Sequence, residues 1–348
     1  MLRAVPSRPD LADPALVRRW AALATLGPAA DSAFLSPEWT FCLAAERFTD
    51  PVLIECLDGA DTIGLALFNR RPGRRGTSLH LHETGDPAWD SVFIEHNGVL
   101  ALPDRAEAVA AATLRCALGV ASRVVLSGVD DGLLRIARRA GWVQKLHTRP
   151  APFLPLPPGG SLLQRLSRNT RAQLRRSDRS YDAPVVAEVA STADQALDWL
   201  DRLLPLHVAT WAARGVRSGF AEAEVQRFHR ALIRRGVPGS VVEMVRVSAG
   251  DQVIGYLLNL RAGGRVAAYQ GGFDYGAAAT AGKPGLTSHA AAIALAWRSG
   301  ASEYDFLAGD GRYKRSLASA VRDLHWLELC RPFSLSGLEA IARRILRR

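Results

Sequence analysis

The sequence predicts an α/β protein built on a duplicated unit. Three observations carry this. The hydrophobic period switches repeatedly between about 3.6 and 2 along the chain, as it does when amphipathic helices alternate with strands. Two pairs of segments can be laid over each other: Gly59-Ala-Asp-Thr-Ile-Gly-Leu-Ala-Leu67 on Gly250-Asp-Gln-Val-Ile-Gly-Tyr-Leu-Leu258, and Val125-Leu-Ser-Gly128 on Phe306-Leu-Ala-Gly309, each second match preceded by an alanine-rich helix. Residues 303–316 then read as a buried strand, a glycine turn and the start of a helix. Just upstream, residues 265–300 read as strand, loop and alanine-rich helix. Strand, loop, helix, strand, glycine turn places a ligand at the helix entrance and between strand ends.

In order, residues 14–26 and a segment from Ser36-Pro37 are expected to be helices, the second opened by an N-cap serine and an N1 proline. Residues 52–57 and 62–68 are strands joined by the turn Asp58-Gly59-Ala60-Asp61. Short strands follow at 77–81 and 92–95, then a helix over 105–121, a strand at 123–126 and a helix over 132–140. Residues 151–160, rich in Pro and Gly, form a connector, and 161–181 a helix. Its Arg168, Arg171, Arg175 and Arg179 fall on one face as a positive ridge. It is either a solvated face or a contact for an acidic substrate, a cofactor phosphate or RNA. A strand at 185–189 and helices at 194–214 and 221–235 precede three hairpin-linked strands at 241–247, 253–260 and 266–271. Helix 286–299 opens at Pro284-Gly285; strand 303–308, helix 312–320, strand 324–329 and a basic amphipathic helix over 335–347 complete the chain. This organisation predicts a degenerate N-terminal domain at 1–157, a basic linker helix at 158–182 and a catalytic domain at 183–348.

A chain of 348 residues suits two domains. No apolar run is long enough to span a membrane and the N-terminus lacks the pattern of a secretion signal, so a cytoplasmic location is expected. The four cysteines, Cys42, Cys56, Cys116 and Cys330, are scattered, which implies neither a disulfide framework nor a zinc site. His80 and His82 alternate on one strand, but no further His or Cys lies nearby at ligand spacing, and no metal is expected. The net charge of +10 is spread over a chain in which 41 of 44 basic residues are arginine. No groove-entering or aromatic nucleic-acid motif accompanies it, so no DNA partner is expected. Two of the three lysines, Lys283 and Lys314, fall in the stretches singled out above. The basic tail, with Arg343, Arg344, Arg347 and Arg348, offers a peripheral contact with anionic lipid or is a solvated helix.

The element order resembles the GNAT acyltransferase fold. The second half is similar to the CelD/BcsL-type GNAT-like domains related to the FemABX aminoacyltransferases. The residues that carry the resemblance are the arginine-rich helix at 167–179, His207 followed by Trp211, Gly271-Gly-Phe-Asp274, Lys283-Pro-Gly285, and Tyr304-Asp-Phe-Leu-Ala-Gly309 with Tyr313-Lys314. It implies duplicated GNAT-like units, each a mixed, mostly antiparallel central sheet flanked by helices. The first copy lacks counterparts of Lys283-Pro-Gly285 and Tyr313-Lys314, so chemistry is expected in the second. The loop 279–285 keeps glycines and a cation but departs from the Arg/Gln-x-x-Gly-x-Gly/Ala pattern of ordinary GNAT enzymes.

Acyl transfer to an amine needs an activated donor, a deprotonated amine and a proton for the leaving group, with both substrates held together. The resemblance implies acyl-CoA, most simply acetyl-CoA, bound at Gly282, Lys283, Gly285 and Leu286, where a helix N-terminus favours an anion. Tyr313 matches the tyrosine that protonates the departing thiolate. Lys314 is expected to bind a carboxylate or polarise a carbonyl. Asp305, in an apolar strand, is either the base or the anchor of the following turn; Asp310 is a second acidic candidate. His207 is a further base, and Gln270, Asp274 and Trp211 would contact the acceptor or the thioester. The expected activity is N-acyl transfer to a small-molecule, peptidyl or sugar amine. The alternatives are an aminoacyl-tRNA donor, as in FemABX relatives, and a non-catalytic accessory protein of polysaccharide or envelope assembly.

Overall fold

The computed structural model describes residues 1–74, 76–90, 94–159, 161–276 and 282–331. The chain divides into two compact units, Met1–Arg149 together with the segment from Asp323, and Pro150–Arg322.

The first unit comprises β1 (Leu2–Ser7), α1 (Pro14–Ala24), α2 (Pro37–Arg47), β2 (Pro51–Asp58), β3 (Asp61–Arg71), β4 (Ser78–Leu81), β5 (Leu100–Ala101), α3 (Ala106–Val120), β6 (Arg123–Val129), α4 (Asp131–Ala140) and the start of β7 (Trp142–Pro155). Its strands lie in the order β1-β2-β3-β4-β6, followed by the last strand among the described residues, Ala320–Cys330. All neighbours along this path are antiparallel except β4 and β6, which run parallel over Ser78–His80. Strand alternation sorts the core onto two faces. Ile54 and Phe68 pack with Leu114 and Leu133 of α3 and α4, whereas Leu53, Leu65 and Leu67 pack with Trp20 of α1 and Phe41 of α2. Ser36 caps α2 by accepting from the Trp39 N–H at 3.2 Å, as its sequence predicts.

The second unit holds the end of β7, then α5 (Leu162–Arg165), α6 (Arg168–Asp178), β8 (Val185–Val189), α7 (Ala193–Ala212), α8 (Ala223–Gly236), β9 (Val242–Ala249), β10 (Gln252–Ala262), β11 (Arg265–Phe273), α9 (Pro284–Arg298), β12 (Glu303–Asp305), α10 (Arg312–Leu317) and the start of β13 (Ala320–Cys330). The strand order is β7-β12-β11-β10-β9-β8. Only β11 and β12 are parallel, paired at three positions from Arg265↔Glu303 to Ala267↔Asp305. Ile293, Ala296 and Leu286 of α9 join Leu257, Val266, Tyr304 and Phe306 in one core. α7 packs against β10 and β11. Each unit is therefore a mixed, mostly antiparallel sheet flanked by helices. The duplication appears as a shared strand plan, with β4/β6 in the first unit doing what β11/β12 does in the second.

Several expectations change. Residues 2–7 form a strand, because they can pair with Leu53–Asp58 despite Pro6. The connector expected at 151–160 is strand as far as Pro155. The carbonyls of Pro152 and Pro150 accept from the N–H groups of Phe306 and Gly309, so no donor is asked of the prolines. The helix expected over 161–181 breaks at Leu166, and Ser167 starts α6 as its N-cap. The strand expected at 303–308 stops at Asp305. The helix expected at 335–347, with its lipid contact, and residues 92 and 93 of an expected strand lie outside the described residues.

Gly128, at the end of β6, has φ +63°, and a Cβ there would sit 2.4 Å from the Ile94 carbonyl oxygen. Both the left-handed backbone and the close approach demand glycine. Gly128→Ala is expected to cost about 3 kcal/mol, read as a lower denaturant midpoint of the full chain.

Candidate active site

The site begins where β12 ends. Asp305 is wholly buried, and its Oδ1 accepts the Leu307 N–H at 2.7 Å. Leu307 has φ +60°, a conformation a leucine adopts only when held there. That turn carries the chain out of the sheet after three register positions, leaving the end of β11 without a neighbour on the β12 side. Arg265 and Arg322 lie 3.9 and 4.0 Å from Asp305 Oδ2, and both also pair with Glu303. The Asp305 carboxylate is thus occupied by a turn and two guanidinium groups. Lys314, from α10, donates to the carbonyls of Leu307 and Ala308 at 3.1 and 2.8 Å, fastening the same loop.

α9 opens beside this point. Its first turn begins with Pro284, which has no N–H, followed by Gly285 and Leu286, whose N–H groups have no helical carbonyl behind them. A Cβ on Gly285 would meet Tyr275 Oη at 2.9 Å, so the glycine is what lets the tyrosine lie over the helix entrance. α6 holds the entrance in place. Ser177 Oγ accepts the Lys283 N–H at 2.7 Å and the Thr287 hydroxyl at 2.8 Å, and Lys283 Nζ donates to Gln173 at 2.7 Å. Gly282 precedes this anchored lysine.

One helical turn beyond Gly285 lies His289, 4% exposed. It stacks on Tyr313, ring centroids 4.6 Å apart and planes 15° apart, and meets Phe273 and Phe306 at 5.5 and 6.0 Å. Burial, helped by the Lys314 charge, pushes His289 down to about 3, so the ring is neutral. Burial pushes the Tyr313 phenol the other way, up to about 12, against the opposing pull of Arg214. A phenol held protonated is fit to give a proton to a leaving group and unfit to take one.

A second constellation lies on α7 and β11. His207 Nδ1 is 2.9 Å from Ser218 Oγ, and Nε2 is 3.0 Å from both Trp211 Nε1 and Gln270 Oε1. An indole N–H only donates, so Nε2 accepts and Nδ1 carries the proton toward Ser218, and the Gln270 amide bonds Nε2 by turning its NH2 rather than its oxygen to the ring. Burial pushes His207 down to about 4. Its lone pair is engaged and its basicity is low. Gln270 follows Tyr269, the extra residue where the β10–β11 register shifts, and this irregularity sets its direction.

The structure therefore gathers Tyr313, Gly285 and Leu286 around His289, and His207, Trp211 and Gln270 around one imidazole. It sets others apart. Asp310 is exposed and pairs with Arg315. Asp274 accepts the Gly276 N–H at 2.9 Å and shapes the turn that presents Tyr275. Lys283 is exposed and reaches Gln173. Sequence reasoning missed His289, Tyr275, Phe273 and Arg214. His289 was findable, since it sits four residues after Gly285 and so on the same helix face. Tyr275 directly follows a singled-out motif. Arg214, whose charge acts on His207, Tyr275 and Tyr313, carries no signal among 41 arginines.

Residues 168–315 match the family model described as an acetyltransferase (GNAT) domain. No curated protein sequence matches the chain. Among solved structures it is similar to the C-terminal domain (DUF2156) of a putative lysylphosphatidylglycerol synthetase from Agrobacterium fabrum, at 11% identity and a TM-score of 0.56 with 95% of each chain covered. It is similar to FemX at 10% identity and a TM-score of 0.61, over 92% of this chain and 96% of that one. It is also similar to a tandem GNAT protein from the clavulanic acid biosynthesis pathway, at 11% identity and a TM-score of 0.50, over 94% and 98%. At such identities the likeness is one of fold, and it extends over both units.

Two outcomes follow from the geometry. Asp305→Asn keeps an oxygen for the Leu307 N–H and should retain soluble, folded protein. Asp305→Ala strands that N–H and leaves Arg265 and Arg322 to Glu303 alone, at a cost of about 1–3 kcal/mol, visible in a urea titration. His289, neutral when folded and with an ordinary imidazole pKa when unfolded, makes the unfolded chain bind the extra proton between about pH 6.5 and 3. Its contribution to stability is present above pH 6.5 and is lost as pH falls through that window. Between pH 7 and 5 the loss is about 2 kcal/mol. His289→Phe should flatten this acid limb when Tm is measured against pH.

Proposed function

We propose that this chain, whose residues 168–315 match an acetyltransferase (GNAT) domain, is an acyltransferase that moves an acyl group from acyl-CoA, acetyl-CoA foremost, to an amine. The observation that carries this is Tyr313: a phenol held protonated in an apolar setting, stacked on His289 one turn inside the α9 entrance. The donor's anionic part fits the N–H groups of Gly285 and Leu286, with Gly282 leaving space and Lys283 adding charge. In the transfer the amine attacks the thioester carbonyl, the C–S bond breaks, and Tyr313 gives its proton to the sulfur. The proton the amine loses restores the phenol. Gln270 and Trp211, held in register by His207, face the acceptor side, so His207 positions rather than deprotonates. Asp305 and Lys314 shape the loop that delivers Tyr313, Asp274 sets the turn before Tyr275, and Asp310 stays outside the reaction.

A second reading keeps the fold and replaces the donor with aminoacyl-tRNA. It is favoured by the exposed arginines Arg168, Arg175, Arg176 and Arg179 on α6, the helix that anchors Lys283. A polyanion could run along them to the donor entrance.

Calorimetry with acetyl-CoA and with charged tRNA separates the two donors, and release of free thiol with a panel of amines reads the reaction. Tyr313→Phe should lower kcat about 100-fold and leave the KM for acetyl-CoA nearly unchanged. Full activity in that variant would remove Tyr313 from the chemistry. Binding of charged tRNA with no response to acetyl-CoA would replace the first reading by the second.

A further inference from the structure

The first unit contains a polar cluster that acyl transfer does not use. It lies at the end of the β4/β6 pair. His80, Glu83 and Asp90 each offer one ligand atom, and these atoms lie within 4.8 Å of one another. Glu83 is 7% exposed. Among the described residues neither Glu83 nor Asp90 forms an ion pair. The influences on Glu83 are burial, the neighbouring Asp90 charge and the Ser127 hydroxyl, and no cation is among those on Asp90. Arg71 and Arg123 act on His80, but their guanidinium groups are engaged by Asp86 at 3.8 Å and Glu328 at 3.5 Å. Two enclosed carboxylates without a positive partner are costly, and buried charges are normally paired or bound to a metal.

The surroundings are arranged to hold these groups. Asp90 accepts from the Thr84 N–H and hydroxyl at 2.9 and 2.7 Å and from the Gly85 N–H at 2.8 Å. Ser127 Oγ donates to Glu83 at 2.5 Å, and Ser78 Oγ lies 3.0 Å from His80 Nε2. Gly85 has φ +76°, and a Cβ there would sit 2.7 Å from the His80 ring, so glycine is what allows the loop to close on the histidine. His82, the alternate histidine of the sequence, turns away at φ +52° to Asn97 at 2.8 Å. The partners of His80 are carboxylates, which a search for His and Cys spacing passes over.

We propose that His80, Glu83 and Asp90 bind one divalent transition-metal ion, of the Zn²⁺ or Mn²⁺ type. One imidazole and two carboxylates favour such ions over Ca²⁺ and Mg²⁺, and three protein ligands leave coordination positions open. The ion supplies the missing positive charge. Thr84, Gly85, Ser127 and Ser78 are the outer contacts that orient its ligands.

The test uses the full chain stripped with a chelator and titrated calorimetrically with Zn²⁺ and Mn²⁺, alongside Tm measurements. Wild type should take up one equivalent and melt higher with metal. Glu83→Gln and Asp90→Asn should each weaken binding at least about 100-fold, and Ser127→Ala about 10-fold. Glu83→Gln also serves as a folding control: lacking a buried charge, it should melt no lower than metal-free wild type and show no shift with metal. Absence of stoichiometric uptake by wild type overturns the proposal. So does unchanged affinity in both carboxylate variants, which would place the ion on the surface. A wild type indifferent to metal, with Glu83→Gln simply more stable, would mean that the two carboxylates share a proton instead.

Discussion

The second unit depends on one hydrogen bond, from the Leu307 N–H to buried Asp305. A left-handed leucine costs about 1–3 kcal/mol. A hydrogen bond to a charged acceptor contributes about 1.5–3 kcal/mol, enough to hold the turn when Arg265 and Arg322 compensate the carboxylate. The turn ends β12 after three residues. Because β12 ends, β11 runs on through Gln270 to Phe273 paired with β10 alone, α9 opens into the gap on its other side, and α10 can lay Tyr313 against His289. Without the turn, β12 would continue along β11 and close the space beside the α9 entrance.

Exclusion of water then sets the protonation states. The same burial that keeps His207 and His289 neutral keeps Tyr313 protonated, since in each case the charged form is disfavoured. The result is a site of neutral donors and stacked rings, with charge confined to its edges at Arg214, Lys283 and Lys314. The corresponding strand end of the first unit follows the opposite plan, enclosing carboxylates. Duplication preserved the strand arrangement while the side chains at the two strand ends diverged.

Much of this was legible in the sequence. Glycine pairs and alternating apolar residues announced both hairpin systems and their repetition, because turn geometry and strand period are local properties. Ser36-Pro37 announced a helix start for the same reason. What escaped was non-local. Strand β1 exists because β2 offers it a partner, and β7 because its prolines supply carbonyls to residues some 150 positions away. Asp305 read equally as base or anchor until its distances to Leu307 and the arginines were known. Lys314 read as a substrate contact or a surface lysine, and nothing local announced that two of its three N–H donors go to the carbonyls of Leu307 and Ala308. His289 shares a helix face with Gly285, but its stacking partner comes from α10 and no spacing rule reaches that far.

The two strands that cross between the units, β7 and β13, make the second unit an interruption of the first. The first unit's sheet includes His325–Cys330 paired with β6, residues a ribosome makes after the whole second unit. Domains usually fold as units in the order of their synthesis. Here the earlier-made one must wait with an open edge at β6 while the later-made one completes itself. Assembly ends with β13 docking on β6, so the N-terminal half reaches its final form last.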